Sequence, residues 1–402
     1  MKNKKNAVII SIFCIILIFI LVFALFFRTK TPIIAFYCLE NEIVEAIKTS
    51  FDKGAKSIFS DKNQKYEYLV LDSEISLKSQ LEEMKNVTVV FSYNGNSQES
   101  VGKDALKFEN SILSTMPTSM RQISNNSLPL LLNHLEMSVL NEVFIKFSGS
   151  EIASLQKTLE IAESEKQTGK FYVTMTSVGS DDKVLSCFLS AYIESRYGVE
   201  ELNKINDFLA NNQEKVTSGE IFENPELEKL ELVCKELLAL KNDGFLHSSW
   251  DEMSFDDVNN FMETKKVSFV FMDLYTHRQI SYGIVKNYSE SFFPSGRLAD
   301  FPKGRSLIVP AVVATCFDVG KKDVSLECKK IVENMVSLEE QAILSRNSGL
   351  APVSSFSDTQ DKQAYNVRLW GASADSLALD MASAFTEPIY KKEFFAQLRN
   401  YL

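Results

Sequence analysis

The chain has 402 residues, and its 45% apolar and 24% charged content is that of a folded protein of two or three domains. The net charge is −10, and the first 30 residues carry five cations (Lys2, Lys4, Lys5, Arg28, Lys30) and no acid, which leaves −15 on the remainder. A body that acidic, with no cluster of Lys and Arg, argues against nucleic acid as its main partner.

Ala7–Phe27 is an apolar run of 21 residues with Ser11 as its one polar member. That length spans a bilayer as a helix. Lys2, Lys4 and Lys5 before it keep the N-terminus cytoplasmic and export the rest. The run is longer than the apolar core of a secretory signal and ends Leu25-Phe26-Phe27-Arg28 without small residues. An uncleaved anchor is therefore favoured over a cleaved signal peptide. Either way the body lies outside the cytoplasm, single-pass at the inner membrane if the anchor stays.

Beyond the leader, strands and helices alternate. Ile33–Tyr37, Tyr66–Leu71 and Val87–Phe91 read as buried strands. Between them lie helices at Glu42–Phe51, stopped by Gly54, and at Ser76–Lys85. Continuous apolar strands alternating with helices predict a mainly parallel sheet covered on both faces. Ligands bind such sheets beyond the carboxyl ends of the strands, here near Glu40 and Tyr93-Asn94.

Leu128–Phe144 (LPLLLNHLEMSVLNEVF) is apolar, turns polar at Asn133, His134 and Glu136, and becomes apolar again. A strand with this pattern passes from one domain to another across a cleft. Alternation places His134 and Glu136 on one face and Asn133 on the other. His134 is either a ligand contact or a satisfied histidine between the lobes.

The alternation then resumes. Glu151–Lys166 reads as a helix and Phe171–Thr176 as a strand. A long helix follows the loop Gly179-Ser180-Asp181-Asp182 and stops at Gly198. Asp181 and Asp182 fit helix capping better than ligand contact. Asn224-Pro225 opens another helix, Asp256–Lys265 is a short one, and Val267–Met272 is a strand leading to Tyr275. Arg305–Phe317, broken by Pro310, suits a second crossing, and Thr359–Asn366 a third. Helices are expected at 325–336, 338–346, 374–385 and 391–402.

Enzyme motifs are missing. Ser50-Phe51-Asp52-Lys53 matches S-x-x-K, but no S-D-N or K-T-G follows. There is no P-loop, G-x-G-x-x-G or G-x-S-x-G. His134, His247 and His277 lie far apart with no H-E-x-x-H, so neither a zinc site nor catalysis is expected. Cysteines 38, 187, 234, 316 and 328 are widely spread and read as single thiols, with a Cys316–Cys328 disulfide left open.

Four segments together resemble the sugar-binding group of extracellular solute-binding proteins, the capture subunits of ATP-binding cassette importers. Leu128–Phe144 is similar to the family's first hinge strand and Arg305–Phe317 to its second. Pro225–Met272 resembles its long helix, short helix and strand before the ligand aromatic. Val336–Val353 (VSLEEQAILSRNSGLAPV) looks like its helix–helix–Gly-x-x-Pro signature. The resemblance implies a two-lobed α/β periplasmic-binding-protein fold of type II. The lobes would be 32–132 plus 312–360 and 134–307 plus 365–402. It also implies a monomer without a cofactor, which closes on a small solute, expected to be a carbohydrate, and delivers it to a permease.

By family position, ligand contacts fall at Glu40, Asn41, His134, Ser180, Asp181 and Tyr275. Tyr93, Asn94, Glu136 and Trp370 are further candidates. Tyr275 stands where many sugar binders carry Trp, and Asp273-Leu274-Tyr275 replaces their Gly-x-Trp. These departures leave open a second reading, an interaction or sensory module with a decayed cleft.

Overall fold

The computed structural model describes residues 31–123, 126–147, 155–171, 173–217, 221–292, 306–308, 310–320, 322–354, 356–357, 359, 361–374 and 376–402. No helix among them is long and apolar enough to cross a membrane, and the apolar run 7–27 lies outside the described residues.

Two sheets organise the molecule. The strands are β1 (Ile33–Tyr37), β2 (Glu67–Val70), β3 (Val87–Tyr93), β4 (Leu128–Leu132), β5 (Leu135–Leu140), β6 (Val173–Ser177), β7 (Val267–Asp273), β8 (Tyr288–Phe292), β9 (Ser306–Ile308), β10 (Ala311–Cys316), β11 (Ala351–Pro352) and β12 (Ser376–Ala378). The first sheet has the order β11-β4-β10-β3-β1-β2, the second β6-β7-β5-β8, and β12 pairs with β9 in a small ribbon. Each large sheet has its own apolar core, one around Phe36, Phe51 and Phe91, the other around Phe188, Trp250 and Phe269.

The expectation of mainly parallel sheets is corrected. Only β1–β2, β1–β3 and β6–β7 run parallel, and the other pairings within the two large sheets are antiparallel. Of the connecting strands, β10 and β5 run against the parallel strands of their sheets, while β4, antiparallel to β10, runs with them. Apolar runs report burial and carry no sign of direction.

Leu128–Phe144 does divide between the sheets. β4 lies beside β10 in the first, β5 is central in the second, and Asn133 and His134 join them. The backbone N–H of Asn133 donates to the Pro310 carbonyl at 3.1 Å, so the first two connections run side by side. The third differs from its expected place. Residues 362–373 form a helix, Lys362–Ser373, whose Ala364 and Val367 join the first core together with Ala374. Ala378 and Met381 belong to the second core. The chain therefore passes over between Ala374 and Ala378, not at 359–366. Residues 374–385 are likewise not helical throughout but hold β12 and a short 3-10 turn, Met381–Ala384.

Helix Asn41–Ile58 runs past Gly54, which was expected to stop it. That glycine is buried against the helix Lys322–Asn334, and a Cβ there would stand 2.8 Å from Ile331 Cγ2. Close helix packing outweighs the weak helix propensity of glycine. Ser50 and Lys53 are both engaged by Glu340, a structural use of the S-x-x-K spacing. Cys316 and Cys328 are buried free thiols, as are Cys187 and Cys234.

Candidate functional site

The carboxyl ends of the parallel strands of both sheets face each other. β1 ends at Tyr37 and passes through Cys38-Leu39-Glu40 into helix Asn41–Ile58. Its parallel neighbour β3 ends at Tyr93. From the second sheet, β6 leads through Val178-Gly179-Ser180-Asp181 into helix Asp182–Tyr197, and parallel β7 ends at Asp273 before helix Leu274–Arg278. A cavity of about 250 Å³ lies between them, walled by Tyr37, Glu40, Tyr93, Asn94, Lys183 and Phe385, among others. The two sides also touch along a seam where Asn96 Nδ2 donates to the Ala384 carbonyl at 2.8 Å and Ser97 Oγ to that of Phe385 at 3.2 Å.

Lys183 is the centre of this arrangement. Its ammonium forms an ion pair with Glu40 across the cleft and lies 3.2 Å from Asp273 Oδ2. It also sits 5.2 Å from the ring centroid of Tyr93 and 5.3 Å from that of Tyr275, within range of cation–π attraction to both. The Tyr93 hydroxyl donates to Glu40 Oε2 at 2.6 Å, and the Tyr275 hydroxyl to Glu42 at 2.5 Å. Burial alone would lower the Lys183 pKa, but Asp273, Tyr93 and Glu40 outweigh it and hold the amine well above its ordinary value. Burial likewise pushes the Asp273 carboxyl up, yet Lys183 and the hydrogen bonds from Thr276 and Asn133 hold it below the usual range. Burial drives the Tyr93 phenol well up, so it stays protonated and able to donate.

The sequence candidates divide. Glu40, Tyr93, Asn94 and Asp181 line the cavity. Asn94 is tied to β10, its backbone N–H donating to the Ala311 carbonyl at 2.8 Å and its side-chain oxygen accepting from the Ala311 N–H at 2.7 Å. Asp181 caps its helix by accepting from the N–H groups of Lys183 and Val184, and burial raises its pKa. Asn41 and Ser180 are exposed and do not wall the cavity. Tyr275 does not wall it either, since its ring is covered by the Lys183 ammonium. Trp370 lies on helix Lys362–Ser373, and its side chain lies outside the described residues. Trp250 is core, its ring centroid 5.2 Å from that of Phe188.

The placement of the Leu128–Phe144 polar residues corrects the expectation. His134 and Glu136, the cleft candidates of this stretch, are buried and do not wall the cavity. Asn133, on the other face, reaches the central cluster: its Nδ2 donates to Asp273 Oδ2 at 2.7 Å and its Oδ1 accepts from the Tyr275 N–H at 2.9 Å. Alternation defines which residues share a face, but not which face meets the cleft. Glu136 instead sits beside Glu290 and His277, where burial and the neighbouring Glu290 carboxylate push its pKa up. Lys183 was not singled out from sequence. One lysine after a capping Asp has no distinguishing pattern.

His134 supplies a pH dependence. Burial lowers its pKa from 6.5 to about 4, despite a backbone partner at Leu135. The folded ring is neutral, whereas the unfolded ring gains a proton below pH 6.5. The unfolded state then binds more protons, so stability falls as pH drops from 6.5 towards 4. The expected loss is about 2–3 kcal/mol at pH 4.5. Urea melts at pH 7 and 4.5 should show it, and His134→Gln should remove that part of the loss. An unchanged acid loss in the variant would assign it elsewhere.

No protein-family model matches the chain. No curated protein matches it either. Solved structures do share its fold. The bacterial solute receptor AcbH, which has an exclusive substrate preference for β-D-galactopyranose, aligns with a TM-score of 0.66 at 11% identity over 92% of this chain and 98% of its own. The binding protein MsmE of Bacillus subtilis, in an open conformation, gives 0.66 at 8% identity over 93% and 94%. Apo RafE of Streptococcus pneumoniae gives 0.61 at 12% identity over 92% and 97%. At these identities the likeness is one of fold: the chain has the two-lobed α/β architecture of solute-binding proteins.

Proposed function

We propose that this protein is an extracytoplasmic receptor that captures a small solute, a carbohydrate, between two lobes and delivers it to an ATP-binding cassette permease. The observation that carries the reading is the convergence of the carboxyl ends of the parallel strands of both sheets on one cavity, where α/β sheets bind ligands. Proteins of this fold include receptors for galactopyranose, raffinose and maltose. The cavity is small, about 250 Å³, and walled by tyrosine and phenylalanine together with fixed acids and amines, which suits a single sugar unit better than a long chain. We take the first lobe as about 32–132 plus 312–374 and the second as 134–307 plus 376–402. The protein acts as a monomer without catalysis, tethered by residues 7–27 with the body outside the cytoplasm.

A thermal-shift screen of mono- and oligosaccharides on the full chain tests this. A cognate sugar at a hundredfold excess over Kd should stabilise the fold by about 2.7 kcal/mol. Flat melts across the whole panel would overturn the sugar reading.

One observation favours a second reading, an interaction module with a closed cleft. Lys183 already fills the space between Tyr93, Tyr275, Glu40 and Asp273. On that reading no solute changes the scattering profile, and a protein partner is captured instead.

A further inference from the structure

The second sheet buries a polar cluster that the cleft does not use. Glu136 on β5, Glu290 on β8 and His277 on helix Leu274–Arg278 each bring one oxygen or nitrogen to within 4.8 Å of the others. Glu136 and His277 are 1% and 2% exposed, and the Glu290 side chain 5%. The strand register explains the meeting. Ser138 lies opposite Glu290, and Glu136, two residues earlier, shares its face. The turn after Asp273 sets His277 against that same region.

The hydrogen bonding is incomplete. Ser138 Oγ donates to Glu290 Oε2 at 2.7 Å and fixes that carboxylate. The other oxygen, Oε1, lies 2.9 Å from His277 Nε2 but without hydrogen-bond geometry. Glu136 Oε2 and both His277 ring nitrogens also have no hydrogen-bond partner among the described residues. Buried polar atoms are almost always paired. Burial would lower the His277 pKa, but Glu290 and Glu136 outweigh it and raise it to about 9, so without a metal the imidazolium offsets Glu290 and leaves Glu136 without a counter-charge. The adjacent Arg278 does not supply it, because its guanidinium is engaged by Asp361.

We propose that Glu136, His277 and Glu290 form a divalent metal site, with zinc the preferred ion. One imidazole nitrogen and two carboxylate oxygens are a zinc donor set that leaves a fourth position for water. Bonds of about 2.0–2.2 Å put tetrahedral ligands roughly 3.4 Å apart, so the His277–Glu290 contact would open slightly on metal binding. Manganese fits the same donors more weakly. A surface pocket of about 520 Å³, walled by His277, Glu290, Tyr282, Ser289 and Asp361, lies beside the cluster. Ser138 is the outer-shell partner that orients Glu290. The ion would pin helix Leu274–Arg278, which also carries Tyr275. The proposal does not depend on what the cleft binds. Sequence spacing hid the site because its residues sit on three separate elements.

The test uses the full chain in detergent, stripped with chelator and titrated with zinc or manganese chloride at pH 7.5. We expect one zinc retained per chain after dialysis, by elemental mass spectrometry, and a zinc-dependent rise in melting temperature larger than that with manganese. Glu136→Gln and His277→Gln should each weaken zinc binding at least tenfold. The metal-free Glu136→Gln protein should melt no lower than the metal-free parent, since it loses an unpaired buried carboxylate; this separates a ligand from a merely structural residue. Both variants keep exposed Cys38, so a thiol site would survive them. No retained metal, or full binding in both variants, overturns the proposal.

Discussion

Replacing Lys183 by methionine is expected to destabilise the protein by roughly 3 kcal/mol and to let the lobes move apart. Asp273 is 0% exposed, and without the ammonium its charge stays buried with Asn133 and Thr276 as its donors among the described residues. Removing one member of a buried ion pair costs about 3–5 kcal/mol, and the low end applies because those hydrogen bonds remain. Glu40 is the cross-cleft partner and is 24% exposed, so Glu40→Gln should cost less, about 1 kcal/mol. The two substitutions should couple by about 0.5–3 kcal/mol in a double-mutant cycle. Chemical denaturation measures the energies and small-angle scattering the radius of gyration. A Lys183→Met protein within 0.5 kcal/mol of the parent and equally compact would remove Lys183 as the tie between the lobes.

Gly179→Ala should cost about 3 kcal/mol or more, at the upper end of overpacking effects. Its Cβ would stand 2.3 Å from the Trp250 carbonyl oxygen and 2.5 Å from Asp251 Cα, both backbone atoms that cannot rotate away. The loop has little room to shift, because Arg399 donates to the Gly179 carbonyl at 2.7 Å and pairs with Asp182 at 2.7 Å. Displacing it would also disturb the Asp181 cap and the Lys183 ammonium. Gly169→Ala serves as the comparison. Nothing lies within 4 Å of its Cβ position and its φ is +65°, so only the left-handed backbone penalty of about 1–2 kcal/mol applies. Thermal melts of the two variants that agree would mean the Gly179 loop yields freely.

What the sequence made legible follows from which patterns have a local cause. Apolar runs such as IIAFY and VTVVF became β1 and the core of β3, because continuous burial needs no long-range information. The polar break at Asn133-His134 marked a passage between sheets for the same reason. Strand direction was not legible, since β10 and β5 have the same composition as parallel strands would. Nor was the central amine, because Lys183 becomes distinctive only when Glu40, Tyr93 and Asp273 are brought around it from three other strand ends. Gly54 reads as a helix stop until Ile331 is seen against it. His134 and Glu136, kept as cleft candidates, do not wall the cavity, because parity along a strand has no absolute origin.

The paired passage of β4–β5 and β9–β10 constrains how the molecule can deform. With the Asn133 N–H on the Pro310 carbonyl and Ala311 paired with Leu132 in the β10–β4 ladder, the two connections cannot slide past each other without breaking those bonds. Bending about the ribbon is the motion that remains. A solute arriving in the cavity would therefore select an angle along a single coordinate. Little of its binding free energy would go into restricting translation or twist of one half against the other.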